Sequence, residues 1–136
     1  MTHHITAMLD VHPQAAESAE KTKLAECIAA CFQCAQTCTA CADACLAEDM
    51  VADLVSCIRT DLDCADICAA TGTVLSRQTA SDAGIVRAIL EACRTACAGC
   101  AEECERHAGM HEHCRICAEA CRRCAAACDS LLAAPA

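Results

Sequence analysis

The sequence contains few of the residues that build ordinary protein interiors or nucleic-acid interfaces. It has no Trp or Tyr and one aromatic residue, Phe32. Leu, Ile, Val and Phe together supply only 22 of the 136 residues, and so low a share with a net charge of −9 is typical of disordered chains. With 10 Lys and Arg against 19 Asp and Glu, the chain lacks the positive charge and stacking surfaces of nucleic-acid-binding proteins, which excludes that class.

Turn-forming residues and long apolar runs are also scarce. Two prolines and four glycines provide too few turns for an all-β chain. Residues 1–13 contain no Lys or Arg and no apolar run of seven, and no stretch approaches the roughly 20 apolar residues of a membrane span. We therefore expect no export signal and no membrane partner, and we predict a cytoplasmic protein whose thiols stay reduced.

The residue present in excess is cysteine, and its spacing is helical. Within each run, steps of three and four residues alternate, which places the run on one face of an α-helix. In the second of four runs, Asp61 occupies the position of a further cysteine. The 18 cysteines of these runs are Cys27, Cys31, Cys34, Cys38, Cys41 and Cys45; Cys57, Cys64 and Cys68; Cys93, Cys97, Cys100 and Cys104; and Cys114, Cys117, Cys121, Cys124 and Cys128.

Four cysteine-bearing faces predict an all-α fold, an antiparallel up-down-up-down four-helix bundle with a cysteine-lined core. We expect residues 1–23 to form an N-terminal segment that is partly helical or flexible, and residues 24–132 to form the bundle. The predicted helices cover about residues 13–46, 49–70, 84–108 and 110–132.

Several single residues suggest where these helices begin and end. Pro13 suits a first helical turn. Gly72 fits the C-terminal cap of the second helix. Ser81 or Asp82 is suited to cap the third helix at its N-terminus.

So many cysteines in a reducing compartment indicate metal binding rather than disulfides. A disulfide between cysteines three or four residues apart would join two points of one helix and constrain little. Packing as small hydrophobic side chains explains one or two cysteines on a helix, not all 18 on helical faces. Thiolates are soft ligands that select Cu(I), Zn(II) and iron–sulfur clusters.

Among these metals the spacing favours Cu(I). Zinc takes four ligands in discrete closed sites, and the sequence has no CxxCxxC run of the iron–sulfur kind. Cu(I) is satisfied by two or three thiolates, and a thiolate bridges two ions, so the core would hold about one copper per cysteine. Zinc or general soft-metal detoxification stays open as an alternative. Ferredoxin-like electron transfer and thiol oxidoreduction remain as lesser ones, since the CxxC pairs lack a βαβ context.

The repeats CIAACFQCAQTCTACADAC and CRICAEACRRCAAAC resemble those of the bacterial four-helix-bundle copper storage proteins. The resemblance covers roughly residues 24–132 and recurs on all four helices. It implies reversible, non-enzymatic storage of multiple Cu(I) ions per chain by inward-facing cysteines, in a homotetramer. Without an export signal, the chain is similar to the cytosolic branch of that family.

The two ends of the predicted bundle differ in chemistry. At the end that holds the long connection, the cysteine faces continue into aliphatic residues, which we expect to close the core: Leu24, Ile28, Ile85, Ile89, Leu131 and Leu132. At the other end they continue into Met50, His107, Met110 and His111. Thioether and imidazole groups are neutral copper donors, so we predict that copper is taken up and released there.

The cysteine spacing does not determine the role of Asp61, and it places His113 away from the cysteine faces. Asp61 lies on an inward face, where a carboxylate must be paired, protonated or metal-bound. It is therefore either a metal ligand or a hydrogen-bond partner of a neighbouring thiol. His113 lies off the cysteine face, and we expect it at the surface.

Overall fold

Five α-helices contain most of the residues that the computed structural model describes, which are 2–14 and 18–134. No strand occurs within these two ranges. A short 3₁₀ turn, Val51–Leu54, precedes the third helix. The helices are α1 (Thr2–Val11), α2 (Ser18–Leu46), α3 (Val55–Ser76), α4 (Ala83–Glu105) and α5 (Glu112–Leu132).

Helices α2 to α5 form a closed antiparallel ring in which each helix packs against the one before and the one after it, and α5 packs against α2. The Sγ atoms of Cys27 and Cys128 lie 4.0 Å apart near one end of the α2–α5 pair, and those of Cys41 and Cys114 lie 4.0 Å apart near the other. The predicted all-α, up-down-up-down bundle is confirmed. Within the described residues, no helix is long and apolar enough to cross a bilayer.

The core of the bundle consists of thiols. All 18 cysteines are free, and none is more than 2% exposed. Buried alanines such as Ala65, Ala101 and Ala118 accompany them, and their small side chains let neighbouring helices approach closely. Cysteine thus replaces the aliphatic residues that the sequence has in short supply.

The N-terminal part differs from the prediction because Pro13 ends a helix instead of starting one. The separate helix α1 stops at Val11, and Pro13 lies in a turn in which the Gln14 amide donates to Nδ1 of His12 (3.0 Å). A residue that precedes proline is disfavoured in the helical conformation, which explains the stop. Helix α1 packs on α2, with Leu9 buried beneath it.

Gly72 also has a different role from the predicted cap. It is buried inside α3, which continues to Ser76. A Cβ built at this position would lie 2.8 Å from the ring of Phe32 on α2, so the glycine permits a close helix–helix approach. The predicted cap at Asp82 is present, since its side chain accepts a hydrogen bond from the Ile85 amide at 3.0 Å.

The end near the long connection is closed by aliphatic residues, although not all of those predicted. Ile28, Leu75 and Leu90 are buried there, whereas Ile85 is 59% exposed. The reason is helical geometry. Ile85 lies two four-residue steps before Cys93, and this spacing rotates it away from the inward face. Alternating three- and four-residue steps keep to the inward face and lead to Leu90 and Val86.

Candidate metal centre

The thiols of the four helices meet in groups of four whose Sγ atoms all lie within 4.8 Å of one another. Five of these groups each combine cysteines of at least three helices, because every helix presents one cysteine per turn to the axis. These five groups are Cys31, Cys93, Cys124 and Cys128; Cys34, Cys68, Cys97 and Cys124; Cys34, Cys38, Cys64 and Cys121; Cys38, Cys100, Cys117 and Cys121; and Cys41, Cys45, Cys57 and Cys114.

Successive groups share members along the axis. Cys124 belongs to the first two groups, Cys34 to the second and third, and Cys38 and Cys121 to the third and fourth. The two remaining cysteines join the same series. Cys27 lies 4.0 Å from Cys128, and Cys104 lies 3.8 Å from Cys57 and 4.0 Å from Cys100. The structure therefore brings all of the predicted cysteines into one continuous thiol column.

Asp61 takes a cysteine position within this column, beside the group that we call the outer quartet (Cys41, Cys45, Cys57 and Cys114). Its Oδ1 accepts hydrogen bonds from the thiols of Cys100 (3.1 Å), Cys117 (3.3 Å) and Cys104 (3.4 Å). Its Oδ2 is buried without a hydrogen-bond partner. Burial raises the pKa of Asp61 to about 12, and the neighbouring Cys117 and Cys100 sulfurs add to the rise. In the metal-free protein Asp61 is thus a hydrogen-bond partner of thiols.

The predicted surface position of His113 is wrong. Its side chain is only 25% exposed. Nδ1 lies 3.4 Å from Sγ of Cys41 and 3.6 Å from Sγ of Cys114, while Nε2 lies 2.9 Å from Oε2 of Glu48. The imidazole therefore lies directly on the outer quartet.

The predicted histidines lie at the same end of the bundle. His111 is 9% exposed, its Nδ1 lies 3.0 Å from Oε2 of Glu48, and its Nε2 is buried without a partner. His107 is 20% exposed, and its Nε2 lies 3.0 Å from Oε2 of Glu103. We call this region the histidine end (Glu48, His107, His111 and His113).

The two methionines predicted at this end lie nearer the surface than the histidines do. Met110 is 67% exposed and Met50 is 37% exposed. Both lie outside the helices of the bundle, Met110 in the link between α4 and α5 and Met50 between α2 and α3. Neither thioether belongs to the buried column.

Two thiols of the outer quartet, those of Cys45 and Cys114, hold their protons at neutral pH. Burial, followed by the charge of Cys41, raises the pKa of Cys45 to about 11. Burial likewise raises the pKa of Cys114. Although burial opposes the change, hydrogen bonds with Cys41 and Glu48 raise the pKa of His113, and the His113 hydrogen bond lowers the pKa of Glu48. A metal that binds these thiols must displace protons.

Sequence reasoning missed His113 and Glu48 for different reasons. His113 precedes Cys114, the first cysteine of α5, and this adjacency was the one available signal. Glu48 carries no periodic signal, because its position depends on the turn after α2, in which its amide donates to the carbonyl of Cys45.

Comparison with known proteins agrees with this geometry. The family model for copper storage proteins matches residues 20–133. The chain belongs to the copper storage protein family. A search of curated proteins finds no match.

Solved structures from Streptomyces lividans and Bacillus subtilis have the same fold. The copper storage protein Ccsp of Streptomyces lividans, loaded with 10 copper equivalents, is 58% identical over 95% of this chain and 98% of its own, with a TM-score of 0.92. A cytosolic copper storage protein of Streptomyces lividans with five coppers is 61% identical over 88% of this chain and 100% of its own (TM-score 0.86). The apo form of Csp3 from Bacillus subtilis is 37% identical over 79% and 97% (TM-score 0.67).

Proposed function

We propose that this protein stores multiple Cu(I) ions reversibly along its axis, with the 18 cysteines as thiolate ligands. The observation that carries the proposal is the sharing of Cys34, Cys38, Cys121 and Cys124 between neighbouring thiol groups. A thiolate that belongs to two groups suits a metal whose thiolates bridge ions, as those of Cu(I) do. The relatives that bind copper support the same metal.

Zinc is the second candidate, because a group of four thiols within 4.8 Å also suits a tetrahedral ion. A closed zinc site uses its four thiolates for one ion, however, so two groups that share a cysteine do not both form such sites. Four groups that follow one another along the axis share cysteines in this way, which disfavours a series of separate zinc sites there.

The other predicted ligands receive different roles in the proposal. Asp61 acts as a hydrogen-bond partner of thiols, since a hard carboxylate oxygen is a poor ligand for Cu(I). His107 and His111 transfer copper between solvent and the outer quartet. Met110 and Met50, which are more exposed, make the first contacts with arriving copper. The imidazole of His113 lies closest to the quartet thiols and joins the same route.

Rapid mixing of the reduced protein with Cu(I) tests this route. We expect His107→Ala and His111→Ala variants to load and unload copper more slowly than the wild type and to reach the same final content. A Glu102→Gln variant, changed at an exposed position of α4, is the control. Wild-type rates of copper loading and unloading in both histidine variants would contradict the proposed route.

The proposal includes a cytoplasmic location, a homotetrameric assembly and a non-enzymatic role. The cytosolic relative from Streptomyces lividans supports the location. Resemblance to the family supports the assembly, which analytical ultracentrifugation of the metal-free and copper-loaded protein tests. A single species of four times the 14.2 kDa chain mass is the expected result.

Reversible copper storage is tested by displacing bound zinc with copper and then removing the copper with a chelator. Native mass spectrometry under anaerobic conditions follows the protein as it is first loaded with zinc, then given Cu(I), then treated with a strong Cu(I) chelator. We expect copper to displace all zinc, and the chelator to return the protein to its metal-free mass. Zinc that stays bound under excess Cu(I) would support the zinc alternative. Copper that no chelator removes would contradict reversible storage.

A further inference from the structure

One carboxylate oxygen at the histidine end serves two imidazole rings. Oε2 of Glu48 lies 3.0 Å from Nδ1 of His111 and 2.9 Å from Nε2 of His113. The two rings stack, with centroids 5.4 Å apart and an angle of 22° between their planes. Glu48 therefore contacts different nitrogens of two neighbouring histidines.

A carboxylate only accepts hydrogen bonds, so the nitrogen that faces it must carry the proton. Glu48 accordingly selects the Nδ1–H tautomer of His111 and the Nε2–H tautomer of His113. The opposite nitrogens keep their lone pairs. That of His111, Nε2, is buried without a partner, and that of His113, Nδ1, faces the sulfurs of Cys41 and Cys114.

We propose that Glu48 is a positioning residue that holds His111 and His113 in opposite tautomers and thereby presents two imidazole lone pairs to incoming Cu(I). This inference rests on the proposed copper storage and adds to it a residue that never touches the metal. A carboxylate behind a metal-binding histidine fixes the ring's orientation and raises its basicity. Here one carboxylate does so for two histidines.

The local backbone fixes the carboxylate in relation to the thiols. Glu48 lies in the turn that ends α2, where its amide donates to the carbonyl of Cys45 at 3.2 Å. Cys45 belongs to the outer quartet. The same turn thus sets the position of a quartet thiol and of the carboxylate that orients both rings. Asp49, the next residue, is exposed and offers a matched control for the loss of one negative charge.

Two-bond ¹H–¹⁵N correlation spectra of the reduced, metal-free protein test the tautomers directly. In the wild type we expect His111 as the Nδ1–H form and His113 as the Nε2–H form. We expect Glu48→Ala to leave each ring as a mixture of tautomers, and Asp49→Asn to match the wild type. Unchanged tautomers in Glu48→Ala would overturn the proposal, and so would a wild type with the opposite assignments.

Anaerobic stopped-flow loading from a Cu(I)–bicinchoninate complex tests the consequence for copper. We expect Glu48→Ala to slow uptake of the first few equivalents at least tenfold, Glu48→Asp to recover part of the rate, and Asp49→Asn to load like the wild type. Final copper content should be equal in all four proteins. Equal rates for Glu48→Ala and Asp49→Asn would overturn the role of Glu48. A wild type that binds only a few ions would instead overturn copper storage itself.

Discussion

Asp61 shows at the scale of one residue how the thiol column departs from its own repeat. It occupies a cysteine position of α3 and receives three thiol hydrogen bonds on one oxygen, while the other oxygen has no partner. An unpaired buried carboxylate is unfavourable in its charged form, which agrees with its raised pKa of about 12. The folded protein therefore holds a proton here that the unfolded chain releases near pH 4.

This difference predicts how stability depends on pH. Between pH 5 and 7.5 the folded state binds one more proton at Asp61 than the unfolded state does, so stability falls as pH rises. The slope approaches about 1.4 kcal/mol per pH unit. An Asp61→Asn variant lacks this proton, so its stability should not fall in this way. We expect its free energy of unfolding to rise relative to that of the wild type between pH 5 and 7.5. Urea denaturation of the reduced, metal-free proteins measures it.

Parallel pH profiles for the two proteins would show that Asp61 is charged in the folded state. Asp63→Asn provides the control, because Asp63 is an exposed aspartate on the same helix that pairs with Arg59 at 2.8 Å. We expect that variant to follow the wild-type profile.

At the scale of the helix, Gly72 and Phe32 determine how closely α3 approaches α2. A methyl group at position 72 would meet the Phe32 ring at 2.8 Å. We expect Gly72→Ala to lower the free energy of unfolding by about 1 to 3 kcal/mol through overpacking. Chemical denaturation of the metal-free protein checks this value.

Gly99 is the matched control, because a Cβ there meets no atom within 4 Å. We expect Gly99→Ala in α4 to stabilise the protein by about 0.5 to 1 kcal/mol, since alanine is the better helix former. Adding Phe32→Leu to Gly72→Ala should restore part of the lost stability. Equal effects of alanine at both glycines would contradict the proposed close approach.

At the same scale, the spacing of the cysteines predicted the bundle helices but left some of the helix ends undetermined. Alternating three- and four-residue steps predicted the four bundle helices and the burial of every cysteine, because a buried helical face repeats with that period. They did not predict that α1 stops at Val11, before Pro13, or that α3 continues to Ser76. A proline suits both the start of a helix and the turn after one, and a glycine inside a helix resembles a cap until its neighbour is known.

The histidine end was predicted only in part, because its geometry depends on links rather than on helical faces. His107 and His111 follow the period of α4 and α5 closely enough to be found. Glu48 lies in the link between α2 and α3, and His113, its partner, lies in the first turn of α5, directly after the link from α4. Contacts of this kind are set by the tertiary structure and have no period in the sequence.

For the whole molecule, a core of thiols makes copper binding a proton-releasing reaction. Cys45, with a pKa of about 11, and Cys114, whose pKa is also raised, are protonated at neutral pH. Each proton that copper displaces makes the affinity fall as pH falls. We expect the apparent Cu(I) affinity to weaken steadily from pH 8 to pH 6, and proton release to accompany loading in weakly buffered solution. Loading that releases no protons would contradict thiolate ligation.

Copper should also stabilise the bundle, because in the proposed store each ion joins thiols of different helices and binds only the folded arrangement. Ligand binding to the native state alone raises stability by about 2.7 kcal/mol at one hundred times the dissociation constant. We expect the melting temperature, followed by circular dichroism, to rise with each added equivalent of Cu(I). Removal of copper by a chelator should restore the original value. A melting temperature independent of copper would mean that the metal lies outside the core.

The most direct test of copper storage is an anaerobic titration of the fully reduced protein with Cu(I), followed by the ultraviolet absorbance of copper bound to thiolate, with zinc titrated in parallel. If shared thiolates bridge successive ions along the column, the copper titration breaks near one ion per cysteine, of which there are 18, while zinc saturates far lower. Saturation at about four or five ions with either metal, as expected for separate tetrahedral sites, would contradict a continuous copper store.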